Sequence, residues 1–133
     1  MNTRDTGQLG EDLACEYLVE KGFKILLRNY RITFGEIDII CVKSWGLKEL
    51  LLGKRDQTIH FVEVKSLSFM SPDFFPEDRV DYRKQEKLKK LAEIWMNQNK
   101  FSQNHPYQID VIAVSITNNQ KDIKYFGNVV SGT

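Results

Sequence analysis

Two apolar runs in this chain carry acids where a buried strand should be oily, and they constrain its fold more than any other feature. The first is Gly35-Glu36-Ile37-Asp38-Ile39-Ile40. The second is Phe61-Val62-Glu63-Val64-Lys65. Side chains alternate across a strand, so Ile37, Ile39 and Cys41 share one face, and Glu36, Asp38, Ile40 and Val42 the other. In the second run Val62 and Val64 oppose Phe61, Glu63 and Lys65. Asp38 can then meet the Glu63–Lys65 face from a neighbouring strand. Burying charge costs several kcal/mol unless the charge is paired or bound to metal. Two carboxylates beside a lysine are therefore retained for chemistry, or as a salt bridge that fixes strand register.

The surrounding pattern places these runs in an α/β domain. Leu9, Leu13, Tyr17 and Leu18 recur at helical steps, so Thr6 to Lys21 reads as a helix stopped at Gly22. Strands are expected over Phe23 to Arg31, Glu36 to Val42 and Thr58 to Lys65. Lys43 to Gln57, with Leu50-Leu51-Leu52, is either a hairpin extension or a small apolar flap. Val80 to Asn99 reads as a second helix. Its stripe is Leu88, Leu91, Ala92 and Trp95, and its other face is basic. Tyr107 to Thr117 is a fourth strand, and Asn118-Asn119 turns into a fifth over Asp122 to Val130. The order is helix, three strands, helix, two strands around a mixed central sheet. The second helix forms a crossover between parallel strands. With 133 residues and no linker or repeat, this is one domain over 1–133.

Composition narrows the function classes. Net charge is +1, so bulk charge does not mark a nucleic-acid binder, although a local basic patch is compatible with one. No apolar stretch approaches the roughly 20 residues of a membrane span. The N-terminus lacks a signal-peptide core, so a cytoplasmic protein is expected. Cys15 and Cys41 lack metal-site spacing and read as free thiols.

The acids suit phosphodiester hydrolysis. Mg²⁺ prefers oxygen ligands and keeps several waters. Asp38 and Glu63 supply two carboxylates, and the Val64 carbonyl a third ligand. Lys65 orients or helps deprotonate the attacking water and stabilises developing negative charge. Neighbouring acids should raise the Lys65 pKa and keep it cationic. Glu11, at the edge of the first helix's apolar face, is the expected fourth member, with Glu16 its competitor on the opposite edge.

These residues also carry a family resemblance. Gly7-x-x-Gly10-Glu11-x-x-Ala14, Gly22-Phe23, Arg28-Asn29-Tyr30-Arg31, the two acid-bearing runs, Lys84-Gln85-x-x-x-Leu88 and Ile109-Asp110-Val111-Ile112-Ala113-Val114 resemble the bacterial YraN family. The match runs from about Thr6 to Val130. That family looks like a member of the PD-(D/E)XK nuclease superfamily, and the spacing of Glu11, Asp38, Glu63 and Lys65 is similar to archaeal Holliday-junction resolvases. The resemblance implies a restriction-endonuclease-like fold and a Mg²⁺- or Mn²⁺-dependent endonuclease acting on structured or branched DNA. It adds Gln85 to the catalytic set, beside the attacking water or a phosphate. Arg31, Arg83, Lys84 and Lys87 are expected on the DNA side, and a homodimer would match the two cleavage points of branched DNA. Leu67 and Gln108 stand where the family usually carries basic residues, and the Asp38-to-Glu63 connection is longer than usual. A nuclease fold that binds DNA or a protein partner without turnover is the alternative reading.

His60 and Asp110 read as structural. His60 lies on the face opposite Glu63 and belongs to the core or to the surroundings of the site. Asp110, mid-strand among Ile and Val, is a structural hydrogen-bond acceptor. Arg28 and Arg31 are phosphate contacts or partners of Glu36.

Overall fold

The computed structural model describes residues 3–44, 51–53, 57–75 and 82–130, with side chains from Gly7 onward. The elements run α1 (Thr3–Glu20), β1 (Phe23–Ile32), β2 (Gly35–Lys43), β3 (Ile59–Leu67), α2 (Tyr82–Gln98), β4 (Tyr107–Thr117) and β5 (Gln120–Phe126). This is the expected order of helix, three strands, helix and two strands. The five strands form one mixed sheet in the order β1-β2-β3-β4-β5. β3 and β4 run parallel, joined by the α2 crossover, and every other pair is antiparallel.

The two helices cover opposite faces. Leu13, Ala14 and Leu18 of α1 pack on Ile39, Cys41, Val62, Ile112 and Val114. Leu88, Leu91, Ala92, Trp95 and Met96 of α2 pack on Ile37, Ile40, Ile59, Phe61 and Ile109. Phe61 is the hub of the α2 side: its ring meets Trp95 at 5.7 Å and Tyr107 at 5.8 Å, both edge-on. Edge-on aromatic pairs contribute about 0.5–1.5 kcal/mol beyond the burial itself.

Small residues set how closely the helices approach. A Cβ on Gly10 would run into the Ser66 hydroxyl, so Gly10 lets α1 lie against β3. A Cβ on Gly35 would press on Leu91 and Lys87 at 2.9 Å, so α2 sits directly over the start of β2. Gly22 closes α1 at φ +91°, and its N–H donates to the Val19 carbonyl. Asn118 and Asn119 both have positive φ and join β4 to β5 by the expected two-residue hairpin.

Two expectations are corrected. β5 ends at Phe126 rather than Val130, because Val129 leaves the β4–β5 ladder and donates to the Ile109 carbonyl instead. β2 does not alternate strictly: Ile37 packs under α2 and Ile39 under α1, so its facing switches at Asp38. In the Lys43-to-Gln57 connection, Leu51 and Leu52 are 78% and 61% exposed. Residues 45–50 and 54–56 of that connection lie outside the described residues, as do Val80 and Asp81 of the expected second helix.

Candidate active site

The site forms where the centre of the sheet opens. The β2–β3 ladder stops at Ile39↔Val62, whereas β3 stays paired with β4 as far as Leu67. The next rung has no strand partner. Asp38 fills the gap: its Oδ2 accepts the Val64 N–H at 2.7 Å. A side-chain carboxylate thus does the work of a backbone carbonyl, and the acid is fixed between the strands. This also explains the switch in β2 facing.

Asp38 and Glu63 line the same cavity of about 210 Å³, with Glu36 and Val64 in its walls. The Asp38 carboxyl is pushed up to about 6, first by burial and then by repulsion from Glu11, Glu63 and Glu36, with the Val64 hydrogen bond pulling the other way. Glu11 is therefore near enough to act on the charge of Asp38, and the tight α1–β3 approach at Gly10 holds its helix there. It also lies 3.8 Å from Arg28 Nη2. Its competitor Glu16 is exposed and lines a separate cleft with Cys15 and Arg28.

Glu63 is held by two lysines. Its Oε1 meets Lys65 Nζ at 3.3 Å and Lys84 Nζ at 2.5 Å. Its Oε2 is buried and has no hydrogen-bond partner among the described residues. Glu63 and Lys84 also line the adjoining cleft of about 850 Å³, together with Glu36, Arg31, Arg83 and Lys87. Every cation expected on the DNA side thus borders one concavity that contains an acid of the site. Arg31 additionally pairs with Glu36 at 2.8 Å, as one of its two readings proposed. Gln85, half-buried beside Lys84, is not found among the residues lining either cavity. Among the described residues no three His, Cys, Asp or Glu side chains converge as a ready metal cluster.

Two site expectations change. Lys65 is not raised by its acidic neighbours: burial and Lys84 outweigh Glu63 and lower its pKa. Lys84 moves the other way. Burial works against its charge, but its bonds to Glu63 and Lys65 outweigh that and raise it. Of the two, Lys84 holds its proton the more tightly. Arg28 pairs not with Glu36 but with Asp12 at 2.8 Å, on α1. Sequence reasoning missed Lys84 as a direct partner of Glu63. The available signal was its place on the first turn of a helix following β3, but no spacing rule brings that turn back to the strand.

Behind the site, Asp110 is fully buried and accepts four hydrogen bonds. His60 Nδ1 (2.6 Å) and Tyr125 Oη (2.5 Å) donate to one oxygen, and Gln108 Nε2 (2.7 Å) and the Asn128 N–H (2.8 Å) to the other. This bears out the structural reading of Asp110 and His60. Gln108 spends its amide on Asp110.

The shift of Asp38 gives a signed expectation. An acid whose folded-state pKa is raised destabilises the fold increasingly as pH climbs from its ordinary 3.8, and fully above about 6. The gap corresponds to about 3 kcal/mol at 1.36 kcal/mol per pH unit. Asp38→Asn keeps an oxygen for the Val64 N–H and removes the charge. Without divalent cation it should stabilise the protein by up to that amount at pH 8 and by almost nothing at pH 4, as read by thermal melting at the two pH values.

The geometry defines a class, a small mixed α/β domain with two acids and a lysine at the splayed end of its central strands. The chain belongs to the uncharacterised protein family UPF0102, whose family profile matches residues 10–114, in keeping with the YraN-like resemblance. A UPF0102 protein of Campylobacter jejuni is 40% identical over 108 residues, 81% of either chain. One from Dictyoglomus turgidum is 36% identical over 118 residues, 88% of this chain and 87% of its own. One from Caldicellulosiruptor bescii is 34% identical over 116 residues, 87% of either chain. Among solved structures, SfsA of Pyrococcus furiosus in complex with Ca²⁺ aligns with a TM-score of 0.38 and 18% identity. That alignment covers 95% of this chain and 63% of the other, so this chain spans less than two thirds of that one. No described helix is long and apolar enough to cross a membrane.

Proposed function

We propose that this protein is a metal-dependent endonuclease of the PD-(D/E)XK type, hydrolysing phosphodiester bonds in structured or branched DNA. The observation that carries the reading is Glu63 Oε2, a buried carboxylate oxygen lacking a hydrogen-bond partner among the described residues, in a cavity shared with Asp38. The repulsion acting on Asp38 points the same way, because a divalent cation would relieve it. The donor set fits Mg²⁺ or Mn²⁺: carboxylates of Asp38 and Glu63, the Val64 carbonyl, and Glu11 directly or through water. When bound, the metal would acidify a water and neutralise phosphate charge.

The chain's own residues do the rest. Lys65, cationic beside Glu63, directs the attacking water to phosphorus and stabilises the negative charge that develops there; burial and Lys84 loosen its proton. Lys84 stays cationic beside Glu63 and stabilises charge building on the phosphate. Arg31, Arg83 and Lys87 hold the backbone along the cleft, and a two-fold dimer would present two such clefts to a branch.

One observation favours the second reading, a DNA-binding or partner-recruiting module without turnover. Lys65 and Lys84 both contact Glu63 Oε1 and offset its charge, which competes with a cation for that oxygen. A cleavage assay with Mg²⁺ or Mn²⁺ on duplex, single-stranded, flap and four-way DNA separates the two, with Asp38→Ala as control. The endonuclease reading expects cutting by wild type alone. No cutting on any substrate, or equal cutting by Asp38→Ala, would overturn it.

DNA binding should be modest and salt-sensitive, with log affinity falling at a slope of about −0.9 per phosphate neutralised. Arg83 and Lys87 are exposed on the cleft wall, whereas Lys84 is held by Glu63. Replacing Arg83 and Lys87 with Ala should therefore weaken binding and flatten the slope by about 2. Fluorescence anisotropy at several salt concentrations reads both changes.

A further inference from the structure

The connection that leaves β3 beside the site exposes large aromatic side chains. Phe69 is 71% exposed, Phe75 55%, and Tyr82, where the chain re-enters α2, 73%. These rings do not sit on a slack loop. Lys124 Nζ donates to the carbonyls of Ser71 (3.1 Å) and Pro72 (3.2 Å). The Phe74 N–H donates to Ser71 O at 3.1 Å, and the Asp73 N–H to Ser71 Oγ at 3.2 Å. Phe74 turns inward and meets Phe126 edge-on at 6.0 Å. One phenylalanine thus anchors the segment while its neighbour Phe75, and Phe69 before it, stay in water. Ordering a segment costs conformational entropy, and holding rings exposed forgoes the gain of burying them.

Both ends of the connection meet at the same acid. Phe69 lies four residues beyond Lys65, at most about 14 Å away along an extended chain. Tyr82 lies two residues before Lys84, and Lys65 and Lys84 both contact Glu63 Oε1. Phe75 follows Phe74, whose ring partner Phe126 pairs with Val111, the β4 neighbour of Glu63, so this part of the segment lies two strand spacings, about 10 Å, from Glu63. The rings therefore stand within the length of a few nucleotides of the proposed scissile phosphate. A nucleic-acid strand combines phosphates that suit cations with flat faces that suit aromatic rings. In an intact duplex those faces are stacked inside, and only unpaired bases present them.

Resting on the endonuclease reading, we infer that Phe69, Phe75 and Tyr82 form a stacking platform for unpaired bases of the DNA strand held in the cleft. The substrate preference that follows is for DNA with a single-stranded segment at or beside the cut, such as a fork, flap or opened junction, over continuous duplex.

The test is metal-free binding, so it does not depend on cleavage. Forked DNA carrying 2-aminopurine in its unpaired arm, and a matched blunt duplex, are titrated with wild type, Phe69→Ala, Phe75→Ala and Tyr82→Ala. Wild type should bind the fork more tightly than the duplex and change the 2-aminopurine emission. Because stacking on one ring is commonly lost at a cost of about tenfold in affinity, each alanine variant should lose about that on the fork and little on the duplex. Phe69→Trp should keep the wild-type preference. Melting temperatures should stay level, since the rings are exposed. Duplex binding with a normal salt slope but no ring-dependent fork preference would overturn the platform and leave the endonuclease reading intact. Absence of binding to any DNA would overturn both. Alanine variants that keep DNA affinity but lose self-association in sedimentation would assign the rings to a second copy of the chain and overturn the platform.

Discussion

Lys65→Ala is expected to remain folded, to keep binding DNA, and to cut it about 10²–10³-fold more slowly than wild type, the usual loss for one electrostatic donor at a developing oxyanion. The structure distinguishes this from a purely structural role. Were Lys65 the sole partner of Glu63, its removal would strand a buried carboxylate and cost about 3–5 kcal/mol. Lys84 is nearer to the same oxygen, at 2.5 Å against 3.3 Å, and stays in place. The single variant should therefore melt close to wild type. Lys65→Ala combined with Lys84→Ala should show the full destabilisation, because only the pair of changes leaves Glu63 bare. Lys65→Arg should restore part of the rate, since a planar guanidinium holds its charge in a different place and releases no proton. Melting and single-turnover cleavage on the same three variants decide the matter. A folded Lys65→Ala protein that cuts at the wild-type rate would end the assignment.

Asp110→Ala is expected to be the most damaging single change to stability, about 3–5 kcal/mol in chemical denaturation. The carboxylate is fully buried, and its removal leaves His60, Tyr125, Gln108 and the Asn128 N–H without their acceptor. Burial alone would push Asp110 up, but the bonds from His60, Tyr125, Asn128 and Gln108 outweigh it and hold its carboxyl below the ordinary 3.8. The sign is therefore opposite to that of Asp38. The contribution of Asp110 is complete above about pH 4 and is lost as pH falls further. The denaturation midpoint of wild type should fall on acidification below pH 4, and that of Asp110→Ala should fall less. Asp110→Asn should cost less than Ala because it keeps an oxygen for Gln108 and Asn128, but its amide would point a donor at donors on the other side.

The elements were legible because each rests on a local signal. Apolar spacing in Leu88, Leu91, Ala92 and Trp95 marks α2 whatever it packs on, and Asn118-Asn119 marks a hairpin because positive φ suits asparagine. The carboxylate pair was legible for a similar reason, since acids inside an oily strand conflict with burial and so draw notice. The details that depend on where strands part were not legible. Period-two alternation assumes that pairing continues, whereas β2 and β3 separate after Ile39↔Val62 and Asp38 turns into the gap. The fine electrostatics failed on the same ground. Lys65 was read against the acids on its own and the neighbouring strand. Its pKa is set first by burial and then by Lys84, a residue nineteen positions away that only the crossover brings back. The partner of Arg28 was likewise a tertiary outcome, because α1 crosses β1 and offers Asp12.

The central claim is that Asp38 and Glu63 together hold a divalent cation, and a calorimetric titration of Mn²⁺ into the protein at pH 8 tests it most directly. Wild type should show one saturable site. Asp38→Asn and Glu63→Gln should each weaken it about tenfold or more, since losing even a group that only orients a ligand commonly costs 10–100-fold. Asp38→Asn should do so while melting higher than wild type in the absence of metal. Equal Mn²⁺ affinity in wild type and both variants, or no saturable binding in wild type, would contradict the account.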